Sequence, residues 1–216
     1  MPMQATVIPK LNTDASQGAG ARGVFRDQHE QVAAGTFGLW ALLATLAMLF
    51  GGLVLAVLAV RLGSDDWPTS LPHLPWQVWV STAAIIGCSV AFAEAVAADR
   101  RGSDTGVRAA MATALVGAVV FTGMQTWAWF SWYETMGAWE ASTQTHRVAI
   151  MGFWVFTGLH VAHVLGGLVP LAMLVWYAVA RRWTTSRRGF LGHAAIYWHF
   201  LDVVWVLLVV TMLVVL

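Results

Sequence analysis

Five long apolar segments, separated by short polar connections, make up most of the chain. They extend from about Thr36 to Val60, Trp76 to Ala98, Val107 to Trp132, Val148 to Val179 and Ala194 to Leu216. Each reaches the roughly 20 residues that an α-helix needs to cross the hydrocarbon core of a bilayer. A barrel strand would instead alternate apolar and polar residues over about ten positions. The pattern therefore predicts an all-α membrane protein, a bundle of five transmembrane helices.

The composition supports the membrane class. Of the 216 residues, 58% are hydrophobic and only 11% are charged, whereas a soluble domain carries about 25% charged residues. The formal net charge of +1 gives no reason to expect nucleic acid as a partner. The single cysteine, Cys88, excludes an intrachain disulfide and a thiolate metal cluster. Residues 1–35 are polar and lack the apolar core of a signal peptide, so we expect a largely disordered cytoplasmic tail before a transmembrane domain at 36–216.

The basic residues predict the orientation of the helices. Ten of the twelve basic residues lie in the N-terminal tail and in the second and fourth connections, whereas Arg61 and Arg147 lie in the first and third. Because cytoplasmic loops are enriched in Lys and Arg, this bias places the N-terminus inside. With five crossings, the C-terminus then lies outside.

Polar side chains within the apolar segments are the candidates for chemistry, because burying them in a membrane is costly. They are Glu94, Gln125, His160, His163, His199 and Asp202. His160 and His163 share one face of the fourth helix, where they could bind a metal or haem, relay protons or form interhelical hydrogen bonds. Catalytic zinc needs three protein ligands and a six-coordinate haem b needs histidines on facing helices. Only His199 could complete either set.

The other candidates favour structural interpretations. His199 and Asp202, one helical turn apart, can form a charge-assisted pair that serves either a proton path or, as we favour, helix packing. Glu94 is expected to be a solvated charge at the inner end of its helix or to pair with the arginines that follow. Gln125 is expected to bond across the bundle, and Gly166 permits close helix approach. No nucleotide-binding or hydrolase motif is present, so the residues themselves indicate a structural or accessory subunit.

Three stretches resemble signatures of the cytochrome c oxidase subunit III family. GFWVFTGLHVAHVLGGL, Gly152–Leu168, resembles the sixth-helix pattern ATGFHGLHVxxG, and YWHFLDVVW, Tyr197–Trp205, resembles the last-helix pattern YWHFVDxVW. LPHLPWQVWVSTAAIIGCS, Leu71–Ser89, is similar to the LP...LW.ST...LLASS stretch of the family. The three occur in the family order. The chain is similar to the shorter bacterial form, which keeps the last five of the seven helices.

The resemblance implies a non-redox subunit of a haem-copper terminal oxidase in a bacterial inner membrane. Such a subunit packs against the haem-copper subunit I, with subunit II in the same complex, holds phospholipid and supports proton uptake. Haem and copper are expected in the partner subunits and not in this chain. The family motif positions, with expected roles in packing, lipid contact or the subunit interface, are His160, His163, Gly166, His199, Asp202 and Trp205.

The chain departs from the family at two acidic positions. The family pattern SE.MFFAG is replaced by ATLAMLFGG, Ala44–Gly52, with Leu46 at the glutamate position. The pattern Q.YEY is replaced by QTWAW, Gln125–Trp129, with Ala128 at the second glutamate position. These changes remove the carboxylates on which a proton-antenna role would depend. A divergent branch could serve a cytochrome c oxidase, a quinol oxidase or a nitric oxide reductase.

Two alternatives lie outside the family. A stand-alone haem b membrane protein would place His160 or His163 opposite His199. A small transporter is the other, although no inverted repeat supports it.

Overall fold

The structure is a computed structural model that describes residues 28–65, 73–137, 144–180 and 185–215. These stretches contain the helices α1 (Gln28–Gly63), α2 (Trp76–Arg100), α3 (Asp104–Gly137), α4 (Gln144–Val179) and α5 (Thr185–Val215). Within these residues there is no β-strand. Each helix contains a span that is long and apolar enough to cross a membrane. The prediction of an all-α protein with five membrane-spanning helices is therefore confirmed.

Several helices extend beyond the apolar segments that predicted them. Helix α1 begins at Gln28, although its membrane-spanning part begins only at Ala33. Residues 1–27, most of the predicted tail, lie outside the described residues, so the boundary at residue 36 stays a prediction. The chain divides into two units between Phe37 and Gly38. Of the first unit, the structure describes only residues 28–37, which are helical. The second unit, Gly38–Leu216, contains the helix packing.

A three-residue turn joins α2 to α3. The amide of Arg101 donates to the carbonyl of Ala97 at 3.1 Å, and the amide of Ser103 donates to Ala98 at 2.9 Å. Gly102 adopts φ +70°, a left-handed conformation that glycine enters without steric cost. The hydroxyl of Ser103 then accepts the amide of Gly106 at 3.2 Å, as a helix N-cap does. The turn thus ends one helix and starts the next, and it folds α3 back along α2.

Small residues bring α2 and α3 close together. A Cβ on Gly117 of α3 would lie 3.1 Å from the carbonyl oxygen of Ala84 and 3.2 Å from the Cβ of Cys88. The thiol of Cys88 donates to the carbonyl of Ala114 at 3.2 Å. Nearer the other end of the pair, the hydroxyl of Ser81 lies 3.3 Å from Oε1 of Gln125. Close backbone approach and two polar contacts therefore hold this pair of helices together.

Helix α5 packs against α2 and α4 through aromatic side chains. Trp198 stacks on Phe92 of α2 with ring centroids 5.6 Å apart. Tyr197 donates from its hydroxyl to the carbonyl of His163 in α4 at 2.9 Å. Gly167 admits these rings, since a Cβ there would lie 2.9 Å from Cε1 of Tyr197. These contacts fix the position of α5, which carries several of the candidate residues.

The close approach of α2 and α3 predicts a specific effect of substitution at Gly117. We expect Gly117→Leu to lower the free energy of unfolding by about 1–3 kcal/mol, because the side chain must displace backbone atoms. Gly123→Leu is the matched control on the same helix, since Gly123 has no atom within 4 Å of an added Cβ. Unfolding in detergent would measure both, and equal stability of the two variants would contradict the predicted close contact.

Candidate functional site

His160 lies at the centre of the bundle, surrounded by aromatic rings. Its side chain is 0% exposed. The imidazole centroid lies 6.3 Å from that of Phe50, 5.8 Å from Phe121 and 5.0 Å from Trp205. Neither ring nitrogen has a hydrogen-bond partner within the described part of the chain. We call Phe50, Phe121, Trp205 and His160 the aromatic cluster, which joins α1, α3, α4 and α5 through one side chain from each.

Trp205 connects this cluster to α2. Its indole ring is fully buried and meets Phe121 edge to face at 5.3 Å. The indole nitrogen donates to the hydroxyl of Thr82 at 2.9 Å, and that hydroxyl donates to the carbonyl of Val78 at 2.7 Å. A buried tryptophan requires an acceptor for its N–H, and here a threonine of the neighbouring helix provides it. All five described helices therefore contribute to this region.

His163 lies one turn further along α4 but has a different environment. Its Nδ1 donates to the backbone carbonyl of Leu159 at 2.7 Å, and its ring contacts Phe50 at 5.5 Å. The imidazole is half-buried. Over the described ranges, no group of three His, Cys, Asp or Glu side chains is arranged to hold a metal ion. His160 and His163 thus both contact Phe50. Among the described residues, no third metal-binding side chain lies with them.

His199 and Asp202 lie on the side of α5 that faces outward next to α2. Nδ1 of His199 hydrogen-bonds to the hydroxyl of Ser89. One oxygen of Asp202, Oδ1, is buried and has no hydrogen-bond partner within the described residues. The three side chains line an open cavity of about 310 Å³ together with Val203 and Val206. The hydrogen bond of His199 thus reaches across to α2, and Asp202 lies close enough to interact with both Ser89 and His199.

The remaining candidates have peripheral or packing positions. Glu94 lies 3.8 Å from Arg101, with 63% of the Arg101 and 66% of the Glu94 side chain exposed, so this pair contributes little to stability. Gln125 is buried between α3 and α2. A Cβ on Gly166 would only touch the hydroxyl of Tyr197, at 4.0 Å. The tight glycine of α4 is its neighbour Gly167.

Sequence reasoning did not identify the partners of His160, His199 and Trp205. Ser89 and Thr82 were indistinguishable from hydroxyls that bond only their own helix. Phe121 appeared as one apolar residue among many. Their importance comes from the rotation of α2 and α3 relative to α5, and no local sequence pattern encodes that rotation.

The described helices and their polar contacts define a polytopic membrane protein whose embedded polar groups mostly join one helix to another. The sequence profile of the family described as Cytochrome c oxidase subunit III matches residues 28–215, and the chain belongs to that family. It is therefore a subunit III of a haem-copper oxidase, a multi-pass membrane protein that works in a complex with other oxidase subunits.

Several relatives carry the name Cytochrome c oxidase subunit 3. The protein of Corynebacterium diphtheriae is 31% identical over 170 residues, which cover 76% of this chain and 80% of the relative. That of Thermostichus vulcanus is 30% identical over 185 residues, covering 83% and 87%. The protein of Synechocystis sp. is 28% identical over 212 residues, covering 96% and 85%. The similarity therefore extends over most of both chains.

The packing around His160 generates a prediction that separates a packing role from a ligand role. We expect His160→Leu to keep or raise the free energy of unfolding, because it replaces two unpaired buried nitrogens by apolar atoms of similar volume. His160→Ala should lower it by about 2–5 kcal/mol by leaving a cavity. Unfolding in detergent measures both variants. A loss above about 1 kcal/mol for His160→Leu would show that the imidazole nitrogens have a partner.

Proposed function

We propose that this chain is a non-redox subunit III that docks on the haem-copper subunit I, in a complex that also contains subunit II. The observation that supports this role most directly is the enclosure of His160 by Phe50, Phe121 and Trp205. The histidine at the family motif position contacts three rings at 5.0–6.3 Å. In this environment it acts as a packing residue that joins helices.

The same geometry disfavours the stand-alone haem b protein. A six-coordinate haem b needs two imidazoles that face each other across the macrocycle with free nitrogens. His160 is fully enclosed by rings. His163 packs against Phe50 of α1, whereas the cavity beside His199 is lined by Ser89, Asp202, Val203 and Val206 and by neither His160 nor His163. The described contacts of these imidazoles are explained by helix packing, without haem.

The relatives and the charge distribution support a proposal for the electron donor and for the membrane. Relatives over most of the chain are named for cytochrome c oxidase, which favours a cytochrome c-oxidising complex over a quinol oxidase or a nitric oxide reductase. The excess of basic residues in the tail and even-numbered connections supports a cytoplasmic N-terminus and an outer C-terminus. We place the chain in the inner membrane of a bacterium.

A groove between α1 and α4 supports a role in holding phospholipid. Its volume is about 370 Å³, and its lining is apolar except for one arginine: Leu53, Ala56, Val57, Val60, Arg147, Met151, Gly152 and Val155. Arg147 is exposed and lies near the start of α4. In the proposed topology this end of α4 lies at the outer surface of the membrane. An acyl chain fits the apolar walls, and a guanidinium binds a phosphate through charge-assisted hydrogen bonds.

Support of proton uptake would act through the assembled complex. The positions where the family has glutamates hold Leu46 and Ala128, which are 5% and 0% exposed. Neither side chain can bind or release a proton. We propose that this chain supports uptake by stabilising subunit I and its surrounding lipid, without a carboxylate at those two positions.

Purification of the tagged chain from its own host in mild detergent tests the role as a non-redox subunit. We expect haem bands in the reduced-minus-oxidised spectrum together with a haem-copper subunit I and subunit II by mass spectrometry. The chain expressed alone should show no Soret band. A Soret band from the isolated chain that His199→Ala removes would instead establish the haem b protein. Solute transport by the isolated chain in liposomes would establish a transporter.

The groove between α1 and α4 predicts which substitutions release bound lipid. We expect Arg147→Gln and Ala56→Trp each to reduce the phospholipid that copurifies with the complex, by removing the phosphate partner and by filling the groove. Val169→Trp, at a position that is 62% exposed on another part of α4, is the matched control. Native mass spectrometry would count the lipids, and unchanged lipid in both groove variants would exclude this groove as the lipid site.

A further inference from the structure

The polar cluster on α2 and α5 lies deep in the membrane. Ser89 is near the middle of the span Trp76–Arg100, and Asp202 is near the middle of Gly189–Val215. At about 1.5 Å per residue, each lies roughly 15–20 Å along its helix from either end. This depth corresponds to the centre of a hydrocarbon core about 30 Å thick. Lipid headgroups therefore cannot reach these side chains.

The cluster also faces outward from the bundle. His199 is exposed, Asp202 is half-buried, and Val203 beside them is 68% exposed. Together with Ser89 and Val206 they line the open cavity of about 310 Å³. We call these five residues the polar face. It differs from the surrounding exposed surface of α5, which consists of valine, leucine and isoleucine.

Exposure of this face to lipid would leave hydrogen-bonding groups unsatisfied. Nδ1 of His199 is hydrogen-bonded to the hydroxyl of Ser89. The other ring nitrogen, Nε2, therefore needs a different hydrogen-bond partner. Acyl chains offer no donor or acceptor at this depth. Histidine and aspartate within membrane spans almost always face protein or a water-filled cavity, because the alternative is costly. The exposed imidazole therefore indicates that another protein surface covers it, either directly or as the outer wall of a water-filled cavity.

The exposed stripe around His199 has the spacing of a helix-packing surface. The residues His199, Val203, Val206, Val210 and Leu213 are all exposed and follow one another at alternating intervals of four and three. This is the spacing at which one helix presents side chains to another along a packed seam. The stripe extends from the polar face along the remaining length of α5. A partner helix could therefore follow α5 over several turns.

A subunit of different sequence is the occupant that the family membership favours. The chain belongs to a family whose members sit in a complex with other oxidase subunits, so membrane-embedded helices of different sequence are available to cover this face. A second copy is the rival occupant. In a two-fold contact two neutral imidazoles in the same tautomer cannot hydrogen-bond through Nε2, so Nε2 of His199 would have to pair with Asp202 or Ser89 of the other copy. Photocrosslinking distinguishes these two occupants.

We propose that the polar face is the docking surface for a transmembrane helix of another oxidase subunit, which places a hydrogen-bonding side chain opposite Nε2 of His199. This inference rests on the proposed function, because that function supplies a membrane-embedded partner. Beyond that function, the inference specifies that α5 carries the covered surface. It also specifies that the hydrogen bond of His199 sets the register of the two subunits.

Site-specific photocrosslinking in the intact complex tests which molecule covers the face. The photoreactive amino acid benzoylphenylalanine replaces Val203 or Val206, and Val169 of α4, 62% exposed, is the matched control position. We expect Val203 and Val206 to give a product with another oxidase subunit, and Val169 to give none above background. A product with a second copy of this chain, or with lipid alone, from an intact complex would overturn the proposal.

Substitution of His199 tests the polar contact itself. We expect His199→Leu to reduce the fraction of this chain that copurifies with its partners by about threefold to tenfold, as loss of one interhelical hydrogen bond would. His199→Gln should retain most of the association. Thr82→Val, which removes the partner of Trp205 inside the bundle, is the control and should lower stability without a selective loss of partners.

The outcomes separate this inference from the function on which it rests. If the unsubstituted chain does not copurify with oxidase subunits at all, the proposed function fails first. If it copurifies and His199→Leu associates as well as the unsubstituted chain does, only the docking face is excluded. Thermal unfolding of each variant on its own checks that a loss of association does not arise from misfolding.

Discussion

Hydrocarbon provides no hydrogen-bond partner, and this constraint accounts for most of the polar arrangement of the protein. Threonines that remain within one helix bond the carbonyl four residues earlier: Thr45, Thr113, Thr122, Thr126, Thr157 and Thr211. Ser81 and Thr82 also bond the carbonyl of Val78 in their own helix, and in addition they reach Gln125 and Trp205 on other helices. Departures from this rule among the described residues include the aromatic cluster inside the bundle and the polar face outside it. They mark where packing and assembly respectively dominate.

The position where the family has a glutamate and the aromatic cluster are neighbours on α1. Leu46 lies one turn before Phe50 on the same side of α1, and both side chains are buried. Phe50 in turn contacts both His160 and His163. An apolar residue at the glutamate position therefore accompanies a histidine whose neighbours are rings. His160 of α4 contacts rings from α1, α3 and α5, so the packing role proposed for it would fix the separation of these four helices.

Hydropathy was sufficient to predict the fold because five runs of continuous apolar sequence permit few other structures. It could not locate the ends, since α1 begins at Gln28 and not near Thr36: polar residues can continue a helix beyond the hydrocarbon. The residue types of the site were predictable, but its contacts were not. His199 bonds Ser89, which lies on α2, far from it in sequence. Gly167, and not Gly166, is the position where an aromatic ring of α5 approaches closely.

The short turn around Gly102 influences how the protein enters the membrane. Only Arg101–Ser103 separate α2 from α3, so α3 is synthesised immediately after α2. Their contacts are local in sequence and form quickly. We therefore expect α2 and α3 to insert as one helical hairpin, with α4 and α5 added to a preformed surface. The order of synthesis then coincides with the order of assembly, and the outward-facing side of α5 is the last to become available to a partner.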